Sequence, residues 1–309
     1  MKGWGCDRLH DDYGDAQPGV SINLKKKEKT MKDQRSIRLL VLLMSGFIAA
    51  CGSSSVEQTA VTGSIFAGPV DGASVTVKNT SGTTIAGPVT TRIDGTYSVK
   101  ILNTDLSSDL VFEATGGTFT DEATGRTGDA AMPLSAHVSG GTLSTGGAVH
   151  VTPYTTIVRE LVAAGKTKTE AETVFNTAFG FIPDSALAPT DATNPASGAT
   201  DEQKLAGLRV AVFSQLANDL GESQAHILAH LPEDLADDGI LNGLPGHLDE
   251  DIGNKFEAAF VNFLANPNNH CGLTPDKIWV LHFAKTVFTS SYKLTYVEGS
   301  MKAMQGKTT

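Results

Sequence analysis

The apolar pattern of this chain changes period once, near His150, and that change divides what it can fold into. Ahead of it, short segments alternate. Ala73 to Lys78 reads ASVTVK, with Val75 and Val77 on one face and Ser74 and Thr76 on the other. That is the period of a half-buried strand. Val61 to Ile65 opens the series, and Leu110 to Ala114 forms another strand. The segments GPVDGA and NTSGT are turn signals, and TTRIDGTYSVKI places Asp94-Gly95 between extended stretches, as a tight hairpin requires. Few helix formers intervene, so the natural solution is a small β-sandwich packed through its alternating apolar faces.

After His150 the apolar residues recur at helical spacing. Ile157, Val158, Leu161 and Val162 share a face, and Gly165 ends that helix. Thr169 with Glu172 fits a capping box, Val174, Phe175, Ala178 and Phe179 form the next stripe, and Gly180 suits its C-cap. Thr200 with Gln203 fits a further box, ahead of Leu205, Leu208, Val212 and Leu216 in a helix to about Leu220. HILAHLPEDLADDG reads as a short helix broken at Pro232, and Ile252 to Ala265 as another amphipathic helix. The expected architecture is a β-sandwich at 58–135 followed by an all-α domain of bundle type at 150–270. Residues 116–150 are rich in Gly, Thr and Ser, and Asp94, Asp121, Glu122 and Asp129 read as solvated loop carboxylates. Calcium is the alternative for these four, without the EF-hand spacing.

The pattern G-S-I, then GPVDGASVTV, then T-T-R-I-D-G-T-Y-S-V resembles the carboxypeptidase regulatory-like, or transthyretin (prealbumin)-like, β-sandwich of secreted bacterial proteins. Gly63, Pro69, Val70, Gly72, Ala73, Val75, Val77, Asp94, Gly95 and Tyr97 carry the resemblance. It implies a fold and a non-catalytic role in spacing, stabilising or binding, and no catalytic residue comes with it. The order sandwich, VTPYTTIV, small helices is also similar to exported bacterial lipoproteins, which extends the likeness to about residue 265. That likeness supplies architecture and no reaction.

The amino-terminal stretch bears on location. From Met31 the chain reads MKDQRSIRLLVLLMSGFIAAC. Lys32, Arg35 and Arg38 form a basic region, and Leu39 to Ile48 an apolar run of secretory length, too short to span a bilayer as a mature helix. Ile48-Ala49-Ala50-Cys51 resembles the bacterial lipobox, which implies cleavage before Cys51 and a diacylglycerol on its thiol. A plain cleaved signal with a chance cysteine is the alternative. Residues 1–30 are hydrophilic and end in KKKEKT, and Lys27-Glu28 can be encoded AAG-GAG, a ribosome-binding sequence ahead of Met31. Met31 is therefore the expected start, with 1–30 a mis-assigned leader, 31–50 the signal and 51–57 a Gly/Ser tether.

A chain beginning at Cys51 has 259 residues, with 15 basic and 28 acidic side chains. That acidic balance disfavours nucleic acid and anionic lipid as partners. Membrane attachment is then expected through acyl chains, palmitate among them, on Cys51. No Asp follows Cys51, which by the lipoprotein sorting pattern favours the outer membrane. Cys6 falls in the leader and Cys51 takes the lipid, so Cys271 stands alone and no intramolecular disulfide is available.

Candidate chemistry is sparse. His226 and His230 lie four apart on one helix face and can share a zinc, with Asp234 or His247 as third ligand. The run HILAH lacks the glutamate of HExxH, and two partly exposed histidines beside a core helix are the plainer reading. Asp234, Asp237 and Asp238 precede Gly239 as a solvated turn, with calcium a lesser alternative. Ser290-Ser291-Tyr292-Lys293 matches S-x-x-K, but only sixteen residues follow for its partner motifs. The tail at 271–309 shifts from acidic to basic and aromatic; it is either an extra strand or helix element or a non-native reading frame. The expectation is a non-enzymatic, lipid-anchored envelope module without a cofactor, binding a protein or polysaccharide. The alternatives are a metal-dependent hydrolase using His226 and His230, and a structural protein that self-associates through sheet edges.

Overall fold

The computed structural model describes residues 56–274, residues 277–278, and the backbone of two strands at 292–297 and 300–305. Residues 1–55, and with them the expected leader, signal and Cys51, lie outside the described residues, as does Ser290 of the S-x-x-K tetrad. Strands come first and helices follow, as the period change predicts.

One sheet has the order β4 (Thr96–Leu102), β1 (Gln58–Ile65), β9 (Gly147–Val151). β4 runs antiparallel to β1, and β9 parallel to it. The other sheet has the order β3 (Thr84–Thr90), β2 (Ser74–Asn79), β5 (Leu110–Thr115), β8 (Leu134–Val138), antiparallel throughout. Their inner faces meet in a sandwich-like core: Tyr97 of β4 lies 6.4 Å, centroid to centroid, from Phe112 of β5. Val75 and Val77 of β2 are fully buried, as their alternation predicts. A close approach fixes the first sheet. Tyr97 donates its hydroxyl hydrogen to the Val149 carbonyl at 2.8 Å, and a Cβ on Gly63 would lie 1.8 Å from that same oxygen. Only glycine fits between the two strands there.

The segment 116–150 is more ordered than its composition implies. It carries the hairpin of β6 (Thr118–Thr120) and β7 (Thr127–Ala130), then β8 and β9. The sandwich therefore extends past residue 135, because β9 is needed to complete the first sheet. The Asp94-Gly95 turn is tight, with Gly95 N–H bonded to the Arg92 carbonyl, yet it does not close a hairpin. β3 and β4 belong to different sheets, so the turn is an arch between layers. Buried Thr91 makes the difference. Its hydroxyl accepts from Ala73 N–H and donates to the Val70 carbonyl, which holds the chain on the β2 side before the turn.

The helices are α1 (Pro153–Ala163), α2 (Lys168–Phe179), α3 (Asp201–Leu220), α4 (Gln224–Asp237) and α5 (Ile252–Leu264). Among the described residues none is long and apolar enough to cross a membrane. The Thr200/Gln203 capping box forms as the sequence predicts. The box of α2 is Thr167 with Glu170, two residues earlier than expected. Both pairs fit the motif, and α1 decides between them. It closes with Lys166 N–H on the Leu161 carbonyl, so the chain restarts at Thr167 and Thr169 falls inside the helix. Pro232 does not break α4. Leu231 and Leu235 on either side are fully buried, and their packing holds the helix through the missing N–H.

α3 is the central helix, buried from Val210 to Ala217. Its Gly207 lies against the 183–200 loop, where a Cβ would meet the Thr190 carbonyl oxygen at 1.6 Å. Tyr154, Phe175, Phe179, Phe181, Phe213 and Phe256 form one aromatic cluster, with Phe175 stacked on Phe179 at 4.4 Å. The core is continuous from Val61 in β1 to Phe263 in α5. A last antiparallel hairpin, β10 (Tyr292–Val297) with β11 (Ser300–Gln305), gives the tail a strand element.

Three of the four edge strands of the two sheets, β3, β8 and β9, are blunted or covered. β3 carries Pro88 and shifts register twice against β2, both of which blunt an edge. β8 is covered by α1, whose Thr156 hydroxyl accepts from Ser135 N–H. His150 of β9 donates its N–H to the Ser185 carbonyl of the following loop.

Candidate functional site

The β6–β7 tip, residues 121–126, is fastened onto the helices. Asp121 Oδ2 accepts from Ser214 Oγ of α3 at 2.8 Å and from Gln224 Nε2 of α4 at 3.0 Å. Asp121 Oδ1 accepts from the N–H and hydroxyl of Thr124. Ala123 N–H donates to Ser214 Oγ, and the amide groups of Asn266 and Asn268 donate to the Ala123 carbonyl. Asp121 and Glu122 are thus buried, at 9% and 1% exposure, rather than solvated. They became internal because the tip has polar partners on three other segments, which spacing along the chain does not reveal. Asp94 stays at the exposed arch, bonded to Thr96, and Asp129 pairs with Arg126, so the four carboxylates do not converge.

Beside this latch lies a groove with two halves that share Met132 and Ala225. The larger half, about 510 Å³, runs between α1 and α4. Its walls are mostly apolar: Ala163 and Ala164 on one side, Leu228, Ala229, Pro232 and Ala236 on the other, with Glu160 and Glu233 among them. The smaller half, about 350 Å³, lies between the β6–β7 hairpin and the α3–α4 junction, and is polar, with Arg126, Asp129, Asn218, Glu222 and Gln224. Sequence reasoning missed the groove. Its one legible sign was the recurrence of alanine on α4 at positions that the core did not claim.

The three histidines meet, but without converging on a common point. His226 and His230 rings lie 4.8 Å apart, and His247 stacks on His230 at 4.3 Å with 28° between planes. His226 Nε2 is 2.8 Å from the His247 carbonyl oxygen, and His230 Nδ1 is 3.2 Å from Glu233. Among the described residues no group of three or more His, Cys, Asp or Glu side chains is placed to hold a metal ion. Asp234 instead turns inward, 2% exposed, where burial pushes its carboxyl up to about 6. Asp238 caps the turn beyond, accepting from Ile240 N–H and Asn242 Nδ2.

Two further pairs appear that the sequence did not announce. Ser64 Oγ lies 2.8 Å from His150 Nδ1, where β1 and β9 are in register. The serine–imidazole pair is buried, burial lowers the His150 pKa, and neither half of the groove is lined by it. It acts as a cross-strand tie. His137 Nε2 lies 3.3 Å from Asp109 Oδ2, and burial outweighs the carboxylate in lowering the pKa of that histidine.

Comparison with family models, with curated proteins and with solved structures returns no match.

Proposed function

We propose that the chain is a lipid-anchored protein of the cell envelope that works by binding, not by catalysis. In this reading Cys51 carries the acyl chains, residues 51–57 are the tether, and the sandwich is a transthyretin-like module that holds the helices away from the membrane. The partner, a protein or polysaccharide of the envelope, seats in the α1–α4 groove.

One observation carries the reading. The larger half of the groove is mostly apolar, and of the groove's carboxylates Asp121 is engaged by Ser214 and Gln224, Asp129 by Arg126 and Glu160 by Arg159. Such a surface offers area and shape to a ligand and no nucleophile with an adjacent base. The serine–imidazole pair that could be mistaken for one is sealed inside the sheet.

The anchoring is tested by intact mass and amino-terminal mapping of protein extracted from membranes. The reading predicts a chain that begins at Cys51 and carries acyl chains. An unmodified chain that retains residues 1–50 would overturn it.

A further inference from the structure

We infer that the partner presents a basic amphipathic helix to the groove; this rests on the binding role proposed above. The shape argument starts on α4. Ala225, Ala229, Pro232 and Ala236 recur at spacings of four, three and four residues, so they share one face along about 16 Å of helix. Ala163 and Ala164 of α1 stand opposite. Small side chains recur on both walls, with Met132, Pro133 and Leu228 also lining the space, and leave a trough of about 510 Å³ in which a third helix can pack against two neighbours.

The charge argument is independent of the shape. Residues 222–238 hold five carboxylates, of which Asp234 is buried, and no lysine or arginine. Glu233 is exposed on one rim of the trough beside His230, Glu160 lines the other wall, and Glu222 stands at the polar end. Arg126 is held by Asp129, and Arg159 is shared between Glu160 and Glu113. Neither α1 nor α4 has a basic residue in its last turn, so neither helix neutralises its own negative end. Lysines or arginines flanking an apolar stripe complement this rim, and acidic residues there would be repelled.

Other occupants fit less well. An added strand needs open backbone groups, and the trough walls are helices whose own ladders use them. A polysaccharide needs hydrogen-bonding side chains and aromatic faces, and among the described residues no aromatic side chain lines the apolar half.

The test uses the full chain in detergent and two fluorescein-labelled model helices of about four turns. Both have the same leucine/alanine stripe; one carries lysines on the rest of its surface, the other glutamates. Fluorescence anisotropy is read for the wild type, Ala229→Trp, and Glu160→Gln with Glu233→Gln. Ala229 is exposed, so tryptophan there fills the trough without entering the core. Unchanged melting of each variant by circular dichroism checks the fold. The lysine helix is expected to bind at least about tenfold tighter than the glutamate helix. The glutamine variant should lose most of that preference, and Ala229→Trp should lose the binding itself. If both helices bind alike and Ala229→Trp abolishes both, the groove stands and the charge inference falls. If the lysine helix binds Ala229→Trp as well as wild type, or binds nothing at all, the inference is overturned. The first of those outcomes also removes the groove from the proposed function.

Discussion

The strand half and the helical half dispose of their polar groups differently. In the strands, peptide groups pair along ladders, and turns are pinned by short hydroxyl contacts such as Thr91 between Val70 and Ala73. Three of the four edges are blunted or covered, by Pro88, by α1 and by the loop carrying Ser185. In the helices, carboxylates go under cover: Asp234 at 2% exposure and, at the seam between the halves, Glu122 at 1%. Neither Glu122 oxygen meets a hydrogen-bond partner of normal geometry. The helical half also leaves the alanine face of α4 uncovered. A closed frame beside an open, acidic face is what a scaffold that presents a binding surface needs.

The largest effects should come from breaking each half at its tightest point. Gly63→Ala drives a Cβ into the Val149 carbonyl and should cost more than about 4 kcal/mol, enough to prevent stable folding. Phe213→Ala, in the fully buried centre of α3, should cost about 3–5 kcal/mol. Because one core runs through both halves, Phe213→Ala should lower a single urea transition seen alike by far-ultraviolet circular dichroism and tyrosine fluorescence. Two separated transitions would show that strands and helices unfold independently.

A smaller effect distinguishes the seam. Burial pushes the Glu122 carboxyl up to about 8, from an ordinary value of 4.5. The folded state therefore binds the extra proton between those values, and stability should fall as pH rises from about 5 to 8. Glu122→Gln should flatten that slope in urea titrations. A slope unchanged in the variant would mean that another group carries it. Asp234, raised from 3.8 to about 6, should contribute in the same direction at the acid end of the window.

The smallest effect concerns the α2 cap. Thr167→Ala should cost about 1 kcal/mol and Thr169→Ala close to nothing, a difference that thermal melts of the two variants resolve. The reverse order would restore the cap that the sequence alone favoured.

That cap illustrates what the sequence could and could not reveal. Alternation at Val75 and Val77, the stripe through Leu205, Leu208, Val212 and Leu216, and the Thr200/Gln203 box were legible because each is local, set by neighbours within a few residues. The Asp94-Gly95 arch was not, because Thr91 redirects it through Val70 and Ala73, whose contact the turn motif does not contain. Pro232 misled for the same reason: the burial of Leu231 and Leu235 overrides a local rule. Of the site, His226 and His230 were legible as a pair on one face, and His247 does lie beside them. The groove was not, since its walls come from Met132 and Pro133, α1 and α4, segments that only the fold brings together.

The central claim is that the helical face, not the sandwich, meets the partner. A photo-crosslinking amino acid at Asp237, one turn beyond Glu233 on the rim of the trough, compared with one at Ile93, tests it in cells that make the protein. Both positions are exposed, Ile93 at 82%, but Ile93 sits on the arch of the sandwich. The account predicts a discrete crosslinked product from position 237, lost when Glu160 and Glu233 are both glutamine, and none from Ile93. Equal products from both positions, or a product from Ile93 alone, would contradict it.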